Sequence, residues 1–171
     1  MAEENKIILI IDMLKGFLEK GNLYCGEEAR KIIPNVVRLL QNGRMKKIFY
    51  LCDSHAENDE EFKMFPPHCV KGTEESEVIK ELGPFEGETI PKTRYSCFFQ
   101  TNLEARLSEI QPDKVVVVGV CTDICVLHTI ADLRNRNYKV EVPQNCVASF
   151  DQDAHLFALK HIEKILGATV V

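Results

Sequence analysis

Reactive side chains follow three apolar segments and one short extended segment of this sequence. They are Asp12 after residues 7–11, Asp53 and His55 after residues 47–52, Lys92 after residues 88–91, and Cys121 and Cys125 after residues 115–120. A thiol can attack a carbonyl group when a neighbouring side chain takes its proton, and an acid and an amine are suitable neighbours. Aspartate and histidine are also common ligands of divalent metal ions. These residue types therefore indicate nucleophilic catalysis and metal binding.

The apolar segments have the pattern of β-strands that alternate with helices. Six strands are predicted, at residues 7–11, 47–52, 88–91, 115–120, 138–142 and 168–171. Four helices are predicted, one from Pro34 to Gly43 and three with N-caps at Thr101, at Thr122 or Asp123, and at Asp151. Such alternation is typical of a mainly parallel sheet with helices on both faces. The sequence thus predicts a three-layer, doubly wound α/β/α fold, as one domain over residues 1–171.

The ends of the predicted strands decide whether the reactive residues can act together. In an open parallel sheet, ligands bind beyond the carboxyl ends of the strands. Asp12, Lys92 and Cys125 each lie at or just after such an end, so we expect them to converge on one edge. An acid at the end of a buried strand is costly unless it is paired, and Lys92 supplies the opposite charge. The alternative is that Asp12 caps a loop and Lys92 is solvated.

Cys125 is the candidate nucleophile. If Thr122 is the N-cap, Cys125 lies in the first helical turn, where the unpaired N–H groups and the helix dipole favour a thiolate. The same N–H groups could hold the oxyanion of an attacked carbonyl. His128 lies only three residues further on, but its position favours packing or hydrogen bonding within the helix, which leaves Asp12 as the better proton acceptor. A buried, unreactive cysteine is the alternative interpretation of Cys125.

Composition argues against several classes of protein. The 171 residues are 45% hydrophobic and 27% charged with a net charge of −5, which is typical of a globular protein and not of a nucleic-acid binder. The longest apolar run, residues 115–120, is too short to cross a membrane. Glu3 and Glu4 at the start argue against a signal peptide. The seven cysteines form no C-x-x-C pair, so we expect mostly buried, reduced thiols in a cytoplasmic protein.

Three segments together resemble the isochorismatase-like cysteine hydrolases. They are IILIIDMLKGF, PKTRYSCFF and VVVVGVCTDICVLHT, and they follow one another in the order expected for that family. Within that superfamily, the stretch DSHAENDEEFKMFPPHCVKGT is similar to the metal loop of nicotinamidases. The resemblance covers nearly the whole chain and implies the isochorismatase-like hydrolase fold.

The resemblance also implies roles for individual residues. Cys125 would be the nucleophile, Asp12 the general acid and base, and Lys92 the cation that keeps Asp12 ionised and favours the thiolate. The backbone N–H groups of Cys121 and Cys125 would form the oxyanion hole, and a cis peptide bond would precede Cys121. The substrate ring would pack against the aromatic residues Phe17, Phe65 and Tyr95, which could equally be core residues.

The implied metal site departs from the pattern of many nicotinamidases, because a third histidine of their loop is missing here. Asp53, His55 and His68 would bind a divalent ion, namely zinc, iron or manganese. Some members use glutamate in place of the missing histidine, and Glu61 is our choice, with Glu60 as the alternative. A merely solvated acidic loop, AENDEE, is the other interpretation. Leu14 replaces a residue that is commonly polar.

These features predict a nicotinamidase, which hydrolyses nicotinamide to nicotinate and ammonia through a cysteine thioester. The substrate would be a small carboxamide, and the chain could act alone or as a homo-oligomer. One alternative is a metal-independent amide or carbamoyl hydrolase of the same superfamily. Another is a non-enzymatic redox protein in which Cys121 and Cys125 form a disulfide. An isochorismatase proper fits less well, because its vinyl-ether chemistry does not need this nucleophile.

Overall fold

A computed structural model describes residues 4–171 of the chain, so Glu3 lies outside the described residues. The strands are β1 (Lys6–Ile11), β2 (Lys47–Asp53), β3 (Glu88–Lys92), β4 (Lys114–Val120), β5 (Val140–Val142), β6 (Val147–Ala148) and β7 (Thr169–Val170). The helices are α1 (Lys15–Leu18), α2 (Gly26–Arg30), α3 (Ile33–Gln41), α4 (Leu103–Ile110), α5 (Leu127–Asn135) and α6 (Gln152–Lys164).

The strands form one sheet in the order β3-β2-β1-β4-β5-β7, and β6 pairs with the carboxyl end of β4. Each pairing within this sheet is parallel. The chain winds outward from β1 to β3 and then returns to β4 on the other side of β1. This reversal is the point at which doubly wound sheets form ligand sites. All six predicted strands are confirmed, and β6 was missed.

Helices cover both faces of the sheet, which confirms the predicted three layers. Alternate residues of β1 point to opposite faces. Ile8 and Ile10 pack with the buried side chains of α1, α2 and α3. Ile7, Leu9 and Ile11 pack with those of α4, α5 and α6. Because β1 and β4 are buried on both faces, they are apolar almost without interruption, as the sequence suggested.

Helix boundaries follow the predictions in part. Pro34 lies in the first turn of α3, and Asp151 caps α6 by accepting a hydrogen bond from Ala154 N at 2.9 Å. The N-cap of α4, however, is Asn102 and not Thr101, whose hydroxyl donates to the carbonyl of Cys97 at 2.5 Å. The third predicted helix also starts differently. Its N-cap is Cys121, and a π-helical turn over Thr122–Val126 precedes α5.

Strands β1 and β4 approach each other closely beside the strand ends. Gly119 has a φ of 118°, and a Cβ atom there would lie 1.9 Å from the carbonyl oxygen of Ile11. A side chain at this position would therefore collide with the backbone of β1. The glycine lets the two central strands end side by side, directly before Asp12 and Cys121.

The described residues contain no helix with the length and apolar character needed to cross a membrane. All seven cysteines are buried free thiols.

Candidate active site

The carboxyl ends of four neighbouring strands bring the reactive residues together. Asp12 directly follows β1, Asp53 and Lys92 are the last residues of β2 and β3, and Cys121 directly follows β4. Asp53 and Lys92 are direct partners in the parallel register of β2 and β3. The sheet topology thus determines which side chains meet.

Lys92 lies at the centre of this group. Its Nζ atom is 2.8 Å from Asp12 Oδ2, 2.5 Å from Asp53 Oδ1 and 3.5 Å from Cys125 Sγ. The side chain is fully buried. Burial acts to lower the pKa of Lys92, but the two carboxylates raise it well above its ordinary value. One buried ammonium ion therefore balances two buried acids and touches the thiol.

Asp12 is held in a left-handed backbone conformation with φ 51°. Its Oδ1 atom accepts a hydrogen bond from Asp53 N at 2.9 Å. Burial and the neighbouring Asp53 raise the pKa of Asp12 to about 6, although Lys92 acts in the opposite direction. At neutral pH the group is a carboxylate that can readily accept a proton, as a general base requires.

Cys125 lies in the π-helical turn, one residue further from the N-cap than the sequence predicted. Burial raises the pKa of this thiol well above its ordinary value, although Lys92 lowers it. The Cys125 sulfur and carboxylate oxygens of Asp12 and Asp53 lie within 4.8 Å of one another. The resting pair is therefore a neutral thiol beside an ionised acid, and the thiol proton has a short path to Asp12.

A second group of residues, of types that bind metal ions, adjoins Lys92 through Asp53. We call Asp53, His55, Glu61 and His68 the metal-type residues. Asp53 Oδ2 is 3.5 Å from His55 Nε2 and 3.8 Å from His68 Nε2, and Glu61 Oε1 is 3.8 Å from His68 Nε2. Burial acts to raise the pKa of Asp53, but Lys92 and His55 bring it down to about 2. Glu60, the alternative ligand, instead pairs with Lys63 in solvent at 2.5 Å.

This second group fits a divalent metal ion. The Nδ1 atoms of both imidazoles are occupied, by Asp59 Oδ2 at 3.0 Å for His55 and by the carbonyl of Pro66 at 2.8 Å for His68. Such partners are usual for metal-binding histidines, because they direct the Nε2 lone pair to the metal. His55 Nε2 and Glu61 Oε2 are buried without a hydrogen-bond partner. Buried polar atoms are normally paired, and a metal ion would supply the partner of both atoms.

The metal-type residues are carried by a loop that closes at its own base. His55 N donates to the carbonyl of Cys69 at 3.1 Å, and Lys71 N donates to the carbonyl of His55 at 2.8 Å. His55 and Val70 form an isolated parallel bridge there. Phe62, which the sequence analysis missed, packs edge-on against both imidazoles at 5.3 and 5.5 Å.

One cavity adjoins both groups. Its lining includes Asp12, Cys125, Glu61 and His68, together with the three predicted aromatic residues Phe17, Phe65 and Tyr95. Three further apolar residues that sequence reasoning missed also line it, namely Leu23, Ile124 and Phe150. They lie in loops or turns without periodic spacing, so no local pattern marks them.

The turn that holds Cys125 is tied to its surroundings by two contacts that the sequence did not reveal. Thr122, expected as a cap, is buried, and its Oγ1 atom lies 2.8 Å from His155 Nδ1 of α6. Cys121 Sγ lies 3.5 Å from Cys25 Sγ.

The Val120–Cys121 peptide bond is cis. His128 Nδ1 is 2.7 Å from the carbonyl of Ile124, which is the bond within the helix that its position suggested.

Comparisons with known proteins agree with this architecture. The model of the isochorismatase domain matches residues 6–171. The chain belongs to the isochorismatase family. It is 39% identical to the uncharacterized isochorismatase family protein PncA of Bacillus subtilis (strain 168), over 96% of this chain and 98% of that protein. The predicted isochorismatase-like hydrolase fold is thereby confirmed.

Two solved structures of this family are especially informative. The crystal structure of nicotinamidase/pyrazinamidase PncA from Bacillus subtilis matches with a TM-score of 0.90 and 38% identity, over 98% of this chain and 99% of that one. The pyrazinamidase of Pyrococcus horikoshii in complex with zinc matches with a TM-score of 0.88 and 27% identity, over 98% of each chain.

Proposed function

We propose that the protein hydrolyses nicotinamide to nicotinate and ammonia, with Cys125 as the nucleophile and a divalent metal ion as cofactor. One observation carries the proposal: a single cavity is lined by the thiol, by His68 and Glu61, and by aromatic rings. A flat aromatic amide could place its ring among the aromatic residues while its amide carbon meets the sulfur. Likeness to nicotinamidase and pyrazinamidase structures supports this substrate class.

The mechanism begins with proton transfer from the Cys125 thiol to the Asp12 carboxylate. The thiolate attacks the amide carbon, and the backbone N–H groups of Cys121 and Cys125 stabilise the oxyanion. Asp12 then gives its proton to the departing ammonia, which leaves a thioester on Cys125. Asp12 next removes a proton from a water molecule, which attacks the thioester carbon. The C–S bond breaks, Asp12 returns the proton to the Cys125 thiolate, and the product leaves as nicotinate after losing its acidic proton to solvent. Lys92 remains protonated throughout and balances the charges that form beside it.

The metal ion would be held by Asp53, His55, Glu61 and His68, and when bound it would act as a Lewis acid toward the pyridine nitrogen. Phe17, Phe65 and Tyr95 would orient the substrate ring. We also propose that the protein is a single catalytic domain that acts in the cytoplasm. Its reaction would belong to the salvage of pyridine nucleotides. Its partner would be a small carboxamide and neither a nucleic acid nor a membrane.

The test is release of ammonia from nicotinamide by the zinc-loaded protein. Cys125→Ala should abolish turnover, because it removes the thiol that lies 3.5 Å from Lys92 Nζ and within 4.8 Å of an Asp12 carboxylate oxygen. Cys146→Ala is the matched control, since it removes another buried thiol outside the site and should retain turnover. Near-native activity of Cys125→Ala would overturn the mechanism.

The alternatives give different results in the same assay. A metal-independent amide or carbamoyl hydrolase would keep its activity after chelator treatment, whereas the proposed enzyme should lose activity and regain it with added metal. A redox protein would hydrolyse no amide in its reduced form. Its disulfide would join Cys121 to Cys125, although the sulfur atom that lies 3.5 Å from Cys121 Sγ is that of Cys25.

A further inference from the structure

Asp59 contacts two of the metal-type residues, His55 and Glu61, and it also contacts the guanidinium group of Arg94. Its Oδ2 atom is 3.0 Å from His55 Nδ1. Its Oδ1 atom accepts hydrogen bonds from Glu61 N at 2.9 Å and from Arg94 Nη1 at 2.8 Å. The Asp59 side chain is only 7% exposed, although the residue lies in a loop. A carboxylate this well enclosed and this fully bonded has a defined position.

These bonds act on two of the four metal-type residues at once. The bond to His55 Nδ1 fixes the rotation of the imidazole, so that Nε2 faces Asp53 Oδ2. The bond to Glu61 N caps the short 3-10 helix Glu60–Lys63, and this helix carries Glu61 into the group. One carboxylate therefore sets the orientation of a ring and the position of a backbone segment.

Arg94 connects Asp59 to the thiol side of the cavity. Its guanidinium group pairs with Asp59 Oδ1, and its carbonyl oxygen accepts a hydrogen bond from Lys92 Nζ at 3.2 Å. The Arg94 side chain is 38% exposed, so its charge remains partly solvated while it balances a buried acid. The residue thus fixes the loop relative to β3.

We propose that Asp59, supported by Arg94, is a positioning residue that sets metal affinity by pre-orienting His55 and Glu61. This inference rests on the metal site of the proposed function. Asp59 itself is not among the residues that line the cavity, and it acts through the two residues that it holds. Outer partners of metal-binding histidines typically contribute about 10–100-fold to metal affinity.

The experiment measures the zinc Kd of the full-length protein by competition with a chelator. Asp59→Asn and Asp59→Ala should each raise the Kd, by about 10–100-fold. Asp113→Asn is the matched control, because Asp113 also accepts a backbone N–H, from Asn5 at 2.8 Å, at the opposite end of the sheet. Its Kd should equal that of the wild type. Circular dichroism before the titration identifies any variant that fails to fold, and the Asn variant then carries the test.

Arg94 provides an independent second test. Arg94→Gln should weaken zinc binding, and Arg94→Lys should restore part of the affinity, since it keeps the charge beside Asp59. With cobalt in place of zinc, the d–d absorption bands of Asp59→Ala should shift, because the orientation of His55 changes. A residue that only stabilised the fold would leave those bands unchanged.

The outcomes separate this inference from the proposed function. If the wild type binds zinc and Asp59→Asn binds it with a Kd within about threefold of the wild type, the role of Asp59 is refuted and the nicotinamidase proposal stands. If the wild type itself binds no zinc, both the metal site and the role of Asp59 are refuted.

Discussion

At the scale of single residues, the site depends on one cation shared by two acids. Asp12 belongs to the proton-transfer pair and Asp53 to the metal-type group, and Lys92 Nζ contacts both. Burying an unpaired charge is far more costly than burying a pair. Lys92 therefore stabilises the fold and the chemistry through the same contacts.

Replacing Lys92 with methionine should make this cost measurable. Lys92→Met keeps the length of the side chain but leaves two buried carboxylates without their cation, so the free energy of unfolding should fall by about 3–5 kcal/mol. Turnover should also be lost. Urea unfolding monitored by circular dichroism gives the first quantity, and ammonia release gives the second.

Lys47→Met is the control for that variant. Lys47 pairs with Glu88 at 3.0 Å, but both side chains are partly exposed. An ion pair of this kind contributes less than about 1 kcal/mol. Equal stability losses in the two variants would contradict the special position of Lys92.

At the scale of secondary-structure elements, the closeness of β1 and β4 sets the geometry of the strand ends. Gly119→Ala should lower the free energy of unfolding by about 3 kcal/mol or more, because the new Cβ adds a collision with Ile11 to an unfavourable φ. Gly43→Ala should cost only about 1–2 kcal/mol, since Gly43 has φ 64° but open space around it. Chemical denaturation of both variants checks the order, and a smaller loss at Gly119 would contradict it.

Strands β1, β2 and β4 could be predicted because each combines an apolar run with a reactive residue at or just after its end. Strand β3 was instead predicted as a short extended segment before Lys92. Strand β6 was missed because two residues, Val147 and Ala148, are too few to show a period. The start of the helix at Cys121 was misplaced because a π-helical turn follows no usual capping pattern. Local sequence rules therefore predict the presence of an element more accurately than the residues at which it begins and ends.

The contacts within the site were harder to foresee than the strands. Asp59 and Arg94 meet across 35 positions of sequence, and nothing in the spacing of either residue indicates the other. The same holds for Cys25 and Cys121, which are 96 positions apart. Such contacts depend on how loops fold over the sheet, and one sequence does not encode that in a periodic pattern.

At the scale of the whole molecule, metal binding should be linked to folding. An ion that binds the native state alone raises the free energy of unfolding, by about 2.7 kcal/mol at 100 times its Kd. We therefore expect zinc to raise the Tm of the wild type, measured by calorimetry. His68→Ala should abolish this rise, while His161→Ala, on α6, should retain it. A Tm that does not respond to zinc in the wild type would contradict the metal site.

The two ends of the loop between His55 and Lys71 meet at its base, where backbone hydrogen bonds and the His55–Val70 bridge join them. Its length is consequently independent of the spacing of the strands, and doubling such an excursion costs only about 0.6 kcal/mol in closure entropy. Residues of this loop other than the metal-binding side chains and Asp59 can therefore be inserted, deleted or replaced while the Cys125 sulfur, the Asp12 carboxylate and the Lys92 ammonium group stay in place. The fold can thereby keep the same thiol chemistry while changes in the loop alter which substrate is accepted.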